Sequence, residues 1–211
     1  MKTLHIKAED IELARDVLVK DGIVAFPTDT VYGLAVRYDH QKAIDHLRYV
    51  KQRPEDKPFA LMVSSVDMIC ELAVLNQRDL DLIHLTLPGD VTLVFNKKES
   101  INTGYFKEAK TIAFRIPNDT FILNLINATQ FGLLVPSANV SGEKVCVNSD
   151  EVSFVFENKI EAIVEGVSGQ QMASTIIDAT QEKLKVLRQG KALLNEIEER
   201  LESEYGYRIS V

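Results

Sequence analysis

Four short segments place polar side chains where a predicted strand or helix ends. They cover residues 28–33, 51–58, 111–117 and 135–142. The second segment holds three cations, Lys51, Arg53 and Lys57. Arginine offers phosphate or carboxylate a fork of donors and lysine a point charge, while hydroxyl and amide side chains in the other segments add further donors. Together the segments predict one site for a ligand that bears phosphate and carboxylate groups.

Each segment taken alone also has an ordinary structural interpretation. Residues 28–33 could be a Thr/Asp turn. Lysines and arginines in residues 51–58 could simply lie at a helix C-terminus, where the helix dipole favours them. Strand alternation puts Arg115 on the same face as Thr111, where an arginine either binds an anion or faces solvent. Residues 135–142 could end in an Asn/Ser/Gly turn. For the first two segments the residue chemistry leaves turn and site equally open.

Several common catalytic motifs are missing from the sequence. It has no G-x-x-x-x-G-K-[ST], no G-x-G-x-x-G after the first strand and no G-x-S-x-G. Its four histidines show no metal-ligand spacing, and its two cysteines are too few for a disulfide framework or a zinc site. We therefore expect no protein-bound metal and a phosphate site built without a P-loop.

The elements that must position these segments alternate between helices and strands. Periodicity predicts helices over residues 8–20, 41–51, 76–87, 119–129 and 191–205, and another that Ser65 caps. Predicted strands cover residues 23–26, 34–36 and 58–63 and the runs VTLVF, TIAFRIP, GLLVP, EAIVEG, STIIDAT and KLKVLRQG. Because the central strands are continuous apolar runs, both sheet faces should be covered. We predict an α/β fold with a twisted, mixed, open sheet flanked by helices.

Length and charge restrict the class of protein further. The 211 residues suit a single domain, and the net charge of -7 argues against a general nucleic-acid binder without excluding a local basic cleft. Neither a signal-peptide core nor a run of membrane-spanning length occurs. We expect a cytoplasmic protein without a membrane partner.

At these segments the chain resembles the YrdC family, the threonylcarbamoyl-AMP synthases. The motifs PTDTVYGL, KQRPEDKP, LPGDVTLVF, TIAFRIP, PSANVSG, STIID and RQG occur in the family's order over residues 26–190. The K-x-R followed later by S-x-N is the family's signature. The resemblance implies a single YrdC-like domain over residues 1–211, with a concave basic cleft in the sheet.

The resemblance also implies an activity and its partners. Family members combine L-threonine, bicarbonate or CO2, and ATP into threonylcarbamoyl-AMP, and they release pyrophosphate. Mg2+ would arrive with ATP. A downstream threonylcarbamoyl-transfer complex then modifies an adenosine beside the tRNA anticodon, so tRNA is an indirect partner. RNA binding in the cleft stays open.

Residue roles follow from the same resemblance. Lys51 and Arg53 would be catalytic, because carboxylation and adenylation develop negative charge that fixed cations stabilise. No residue stands out as a nucleophile, which favours positioning over covalent catalysis. The matching substrate contacts are Thr30, Arg115, Ser137 and Ser174 for L-threonine, and Arg53, Lys57, Thr111, Asn139 and Arg188 for ATP.

Two departures from the family pattern keep alternatives open. Asp90 replaces a common proline, and residues 145–147 lack the hydroxyls of a Ser-Pro-Thr element. The first alternative is a diverged paralogue that binds double-stranded RNA or nucleotide without synthase activity. The second is a carbamoyl-transfer module of the hydrogenase-maturation type, which normally lies in a longer chain with zinc-finger-like segments.

Overall fold

A mixed sheet is the frame of this computed structural model, which describes residues 2–102, 104–169 and 172–207. Within those residues the sheet has ten strands in the order β1-β8-β2-β3-β7-β4-β6-β5-β9-β10. The strands are β1 Leu4–Ile6, β2 Val24–Phe26, β3 Gly33–Arg37, β4 Leu61–Met62, β5 Val91–Asn96, β6 Thr111–Arg115, β7 Leu133–Leu134, β8 Ala162–Val164, β9 Thr175–Asp178 and β10 Lys185–Arg188. Strand β8 pairs parallel with β1 and β2, β4 with β6, and β5 with β9, while the other pairs are antiparallel.

Helices cover both faces of the sheet. They are α1 Ile11–Val19, α2 Gln41–Lys51, α3 Val66–Leu72, α4 Gln77–Thr86, α5 Thr120–Thr129, α6 Ser149–Phe156 and α7 Leu194–Tyr205. Successive residues of β2 alternate between two hydrophobic clusters, Ala25 in one and Val24 and Phe26 in the other. Helices α1 and α5 pack into the cluster of Val24, and the other helices pack into the cluster of Ala25. The two-sided burial explains the uninterrupted apolar strands, and the predicted α/β fold is confirmed.

The predicted helix N-caps Ser65 and Asp119 are confirmed. The Ser65 hydroxyl accepts a hydrogen bond from the Met68 amide, and the Asp119 carboxylate accepts one from the Ile122 amide. These side chains satisfy amides that have no partner in the first helical turn. Helix α2 has the predicted bounds.

One predicted element needs correction, and two observed elements were missed. The strand predicted over residues 58–63 is only Leu61–Met62. Strand β1 and helix α6 were not predicted: only Ile6 of β1 is buried, and α6 has eight residues with a polar start. Among the residues that the structure describes, no helix has the length and apolar character needed to cross a membrane.

Candidate active site

A cavity of about 140 Å3 opens where several strands end. Its walls include the β2–β3 loop, the α2–β4 loop, the ends of β6 and β10, and the residues that follow β7 and precede β9. The structure brings six predicted site residues together there. They are Thr30, Arg53, Arg115, Ser137, Ser174 and Arg188.

Arginines dominate the electrostatics of the cavity. Among the described residues its lining holds three guanidinium groups, from Arg53, Arg115 and Arg188, and no carboxylate. Burial lowers the pKa of Arg188, and the positive charges of Arg115 and Arg53 lower it further. Mutually repelling cations in a partly desolvated cavity favour an anionic ligand.

Arg115 is a fixed cation at the end of β6. It is 4% exposed, and its Nη2 donates to the Asp29 carboxylate at 2.7 Å. Its Nη1 donates to the Thr30 hydroxyl at 3.0 Å, and its Nε donates to the Gly89 carbonyl at 3.0 Å. Burial lowers the pKa of Arg115, while the Asp29 carboxylate acts in the opposite direction. These contacts fix both the guanidinium and the Thr30 hydroxyl in the cavity wall.

The turn that follows β2 is held in shape by Thr28 and Tyr32, both of which also line the cavity. The Thr28 hydroxyl accepts hydrogen bonds from the amides of Thr30 and Val31, which closes the turn. The Tyr32 hydroxyl donates to the Val164 carbonyl at 2.6 Å, and its ring is fully buried. Thr28 and Tyr32 therefore hold the turn in shape, and Asp29 anchors Arg115.

Lys51, for which the family resemblance implies a catalytic role, lies outside the cavity lining, and that role stays a prediction. Its side chain is 1% exposed, and its Nζ donates to the carbonyl oxygens of Ser137 and Asn139 at 2.5 and 2.7 Å. Burial, aided by the positive charge of Arg53, lowers the pKa of Lys51 to about 7. The ammonium thus ties the end of α2 to the turn after β7.

Asn139 completes that turn from within. Its Oδ1 accepts from the Ser137 hydroxyl at 2.7 Å, and its Nδ2 donates to the carbonyls of Val140 and Glu143. The side-chain amide is therefore occupied by the protein, and Asn139 does not line the cavity. Its predicted ATP contact stays a prediction.

The α2–β4 loop presents Arg53 but not Lys57. The Arg53 Nε and Nη2 donate to the carbonyls of Lys57 and Pro58 at 3.2 and 2.8 Å. Burial lowers the pKa of Arg53. The Lys57 side chain is exposed and lies outside the cavity lining. Its ATP contact also stays a prediction.

The β9–β10 hairpin forms the opposite wall. Arg188 donates from Nε and Nη2 to the Ser174 carbonyl at 3.1 and 2.8 Å. The hydroxyls of Ser174 and Thr92 lie 2.8 Å apart. Thr92 was not predicted as a site residue, although its hydroxyl within the apolar run VTLVF is a signal that could have indicated it.

Thr111 lies in a neighbouring groove of about 420 Å3. This groove is mostly apolar, includes Tyr105 and Phe106, and shares Phe59 and Ile176 with the cavity. Thr111 is therefore next to the arginine-lined cavity without being part of its wall.

Known proteins provide an independent comparison. The Sua5_yciO_yrdC family model, described as "Telomere recombination", matches residues 16–190. The threonylcarbamoyl-AMP synthase of Pyrococcus abyssi (strain GE5 / Orsay) is 31% identical over 196 residues, which are 92% of this chain and 58% of that protein. The chain thus spans about three fifths of this curated relative.

Solved structures agree with the sequence match. P. abyssi Sua5 complexed with L-threonine superposes with a TM-score of 0.85 at 28% identity, over 100% of this chain and 65% of that one. E. coli YciO gives a TM-score of 0.81 at 21% identity over 93% and 98% of the two chains, which supports the fold alone. The chain belongs to the Sua5/YciO/YrdC family.

Proposed function

We propose that this chain synthesises threonylcarbamoyl-AMP from L-threonine, bicarbonate or CO2, and ATP. The observation that carries the proposal is a cavity lined by three arginines and no carboxylate among the described residues, with hydroxyls from Thr30, Ser137 and Ser174. Such a cavity suits a carboxylate and a triphosphate held close together. A relative named threonylcarbamoyl-AMP synthase supports this choice among anionic ligands.

The proposed reaction has two bond-forming steps. The threonine amine attacks CO2 derived from bicarbonate and loses a proton, which gives a carbamate. A carbamate oxygen then attacks the α-phosphorus of ATP, and the bond to the β-phosphate oxygen breaks with release of pyrophosphate. Both steps gather negative charge, so the fixed guanidinium groups would stabilise the transition states without reorganising.

The residues divide between the two substrates. Arg115, held by Asp29, would face the threonine carboxylate, with Thr30, Ser137 and Ser174 nearby. Arg53 and Arg188 would bind the phosphates of ATP. Lys57, Thr111 and Asn139 are retained as proposed ATP contacts that require a loop or side-chain movement, because they lie outside the cavity lining.

Further partners belong to the same proposal. Mg2+ would enter with ATP and neutralise phosphate oxygens as part of the substrate. The product would pass to a threonylcarbamoyl-transfer complex that acts on tRNA, which would place the chain in the cytoplasm.

The test is pyrophosphate release that requires all three substrates. Arg53→Ala should lower kcat/KM by roughly 30- to 1,000-fold, since losing a charge-assisted contact in the transition state costs about 2–4 kcal/mol. Arg200→Ala is the matched control, because Arg200 is exposed on α7 and pairs with Glu204. Absence of release by the wild-type protein, together with binding of ATP or double-stranded RNA, would favour the non-synthase paralogue instead.

A further inference from the structure

Tyr105 contacts the loop that carries Arg53, although Tyr105 does not line the cavity. Its hydroxyl oxygen accepts hydrogen bonds from the Phe59 amide at 2.9 Å and from the Arg48 Nη2 at 3.2 Å. A phenylalanine would give the same ring packing against Phe59, whose ring centroid lies 5.8 Å away. The hydroxyl thus adds two hydrogen bonds that a phenylalanine ring could not make.

Of the two donors, Phe59 lies at the end of the loop, and Arg48 lies on helix α2 just before the loop. Phe59 closes the loop, is 2% exposed, and presents its ring to two cations. The guanidinium carbons of Arg48 and Arg53 lie 4.8 and 4.9 Å from its centroid, within cation–π range. Arg48 also donates from Nη1 to the Pro54 carbonyl at 2.8 Å, near the loop's start.

These contacts determine where the Arg53 guanidinium can lie. Its Nε and Nη2 are bonded to carbonyls of the loop itself, and its face lies on the Phe59 ring. A displacement of Phe59 would therefore move the guanidinium relative to Arg115 and Arg188 across the cavity. The Tyr105 hydroxyl holds the Phe59 backbone against that displacement.

We propose that Tyr105 is a positioning residue that aims Arg53 at the bound anion. The identity of that anion as the ATP phosphates rests on the proposed function, but the positioning role does not. Removing the hydroxyl leaves the Phe59 N–H and one Arg48 N–H without their acceptor, so the loop samples more conformations. Anion affinity falls because ordering the loop then opposes binding.

Tyr105→Phe is the decisive variant, and Tyr38→Phe is its matched control. Tyr38 packs on Phe106 with ring centroids 5.9 Å apart, and its hydroxyl makes no hydrogen bond among the described residues. We expect Tyr105→Phe to raise the Kd for inorganic pyrophosphate and the KM for ATP about fivefold. The KM for threonine should stay unchanged, because Arg115 is held by another loop.

Hydrogen exchange gives a readout that needs no catalysis. The Phe59 amide and its loop neighbours should exchange faster in Tyr105→Phe than in wild type or Tyr38→Phe. Phe59→Leu, which removes the ring beside Arg53, should weaken pyrophosphate binding in the same direction and serves if Tyr105→Phe folds poorly.

The outcomes separate the two proposals. Suppose that the wild-type protein makes no product, while Tyr105→Phe binds pyrophosphate more weakly than the wild type and its loop is less protected from exchange. That result would refute the proposed function and support the positioning role. Equal pyrophosphate affinity in Tyr105→Phe and Tyr38→Phe would overturn the positioning role, even if the unfolding midpoint of Tyr105→Phe were lower.

Discussion

Replacing Lys51 by methionine should remove a pH dependence from the stability of the fold. Burial lowers the pKa of Lys51 to about 7, so in mildly alkaline solution the folded protein releases a proton that the unfolded chain retains. The contribution of Lys51 to the free energy of unfolding of the wild type therefore rises with pH. From pH 7 to pH 9 this linkage amounts to about 2 kcal/mol. Each pH unit well above the folded-state pKa contributes about 1.4 kcal/mol, and the first unit above pH 7 contributes less because the folded protein has released only part of the proton there.

The assay is urea unfolding of three proteins at several values from pH 6 to pH 9. Lys51→Met should be less stable than wild type throughout, because the carbonyls of Ser137 and Asn139 lose their donor. Its deficit should widen as pH rises, since only the wild type gains the linkage term. Lys57→Met removes an exposed lysine from the same region and should follow the wild-type curve. A constant difference between wild type and Lys51→Met would refute the reasoning, since it would mean that the oxygen partners keep Lys51 charged over the whole range.

Two further substitutions test the supports of the cavity. Asp29→Asn takes the carboxylate from the buried Arg115 and should lower the free energy of unfolding by about 3 kcal/mol in urea titrations at pH 7; unchanged stability would mean that the neutral acceptors of Arg115 suffice. Gly190→Ala should destabilise by about 2 kcal/mol and weaken binding of threonine in a calorimetric titration, because its Cβ would overlap the backbone of Ala173 and the residues after it. If Gly190→Ala bound threonine and unfolded like the wild type, the hairpin backbone would be able to shift and accommodate the added Cβ.

The sequence predicted those elements whose signals are local. Helix α2 was bounded correctly because its apolar spacing is regular, and Asp119 marked the start of α5 because a capping carboxylate is a one-turn signal. Strand β1 was not predicted because its partner strand is remote in the sequence, with Leu4 aligned to Ala162. A strand of three residues with one buried side chain is too short to show an alternating hydrophobic pattern, so only its pairing in the sheet defines it.

Residue types near the site were predictable, but side-chain directions were not. The sequence shows that Lys51 and Arg53 are two residues apart, and the same chemistry suits both. The fold then directs one into a turn and the other into the cavity, because the Lys51 side chain meets buried carbonyl groups. Asn139 likewise has the right chemistry for a ligand, but the surrounding backbone uses its amide.

The hairpin that carries Arg188 lies at the edge of the sheet, where β10 pairs only with β9 among the described strands. Edge segments of this kind open locally at a lower free energy than the central strands. A ligand that contacts both Arg188 and Arg53 would link this edge hairpin to the α2–β4 loop, and the hairpin would then open less often. Resistance of residues 174–190 to a protease would then report occupancy of the cavity, whatever reaction follows.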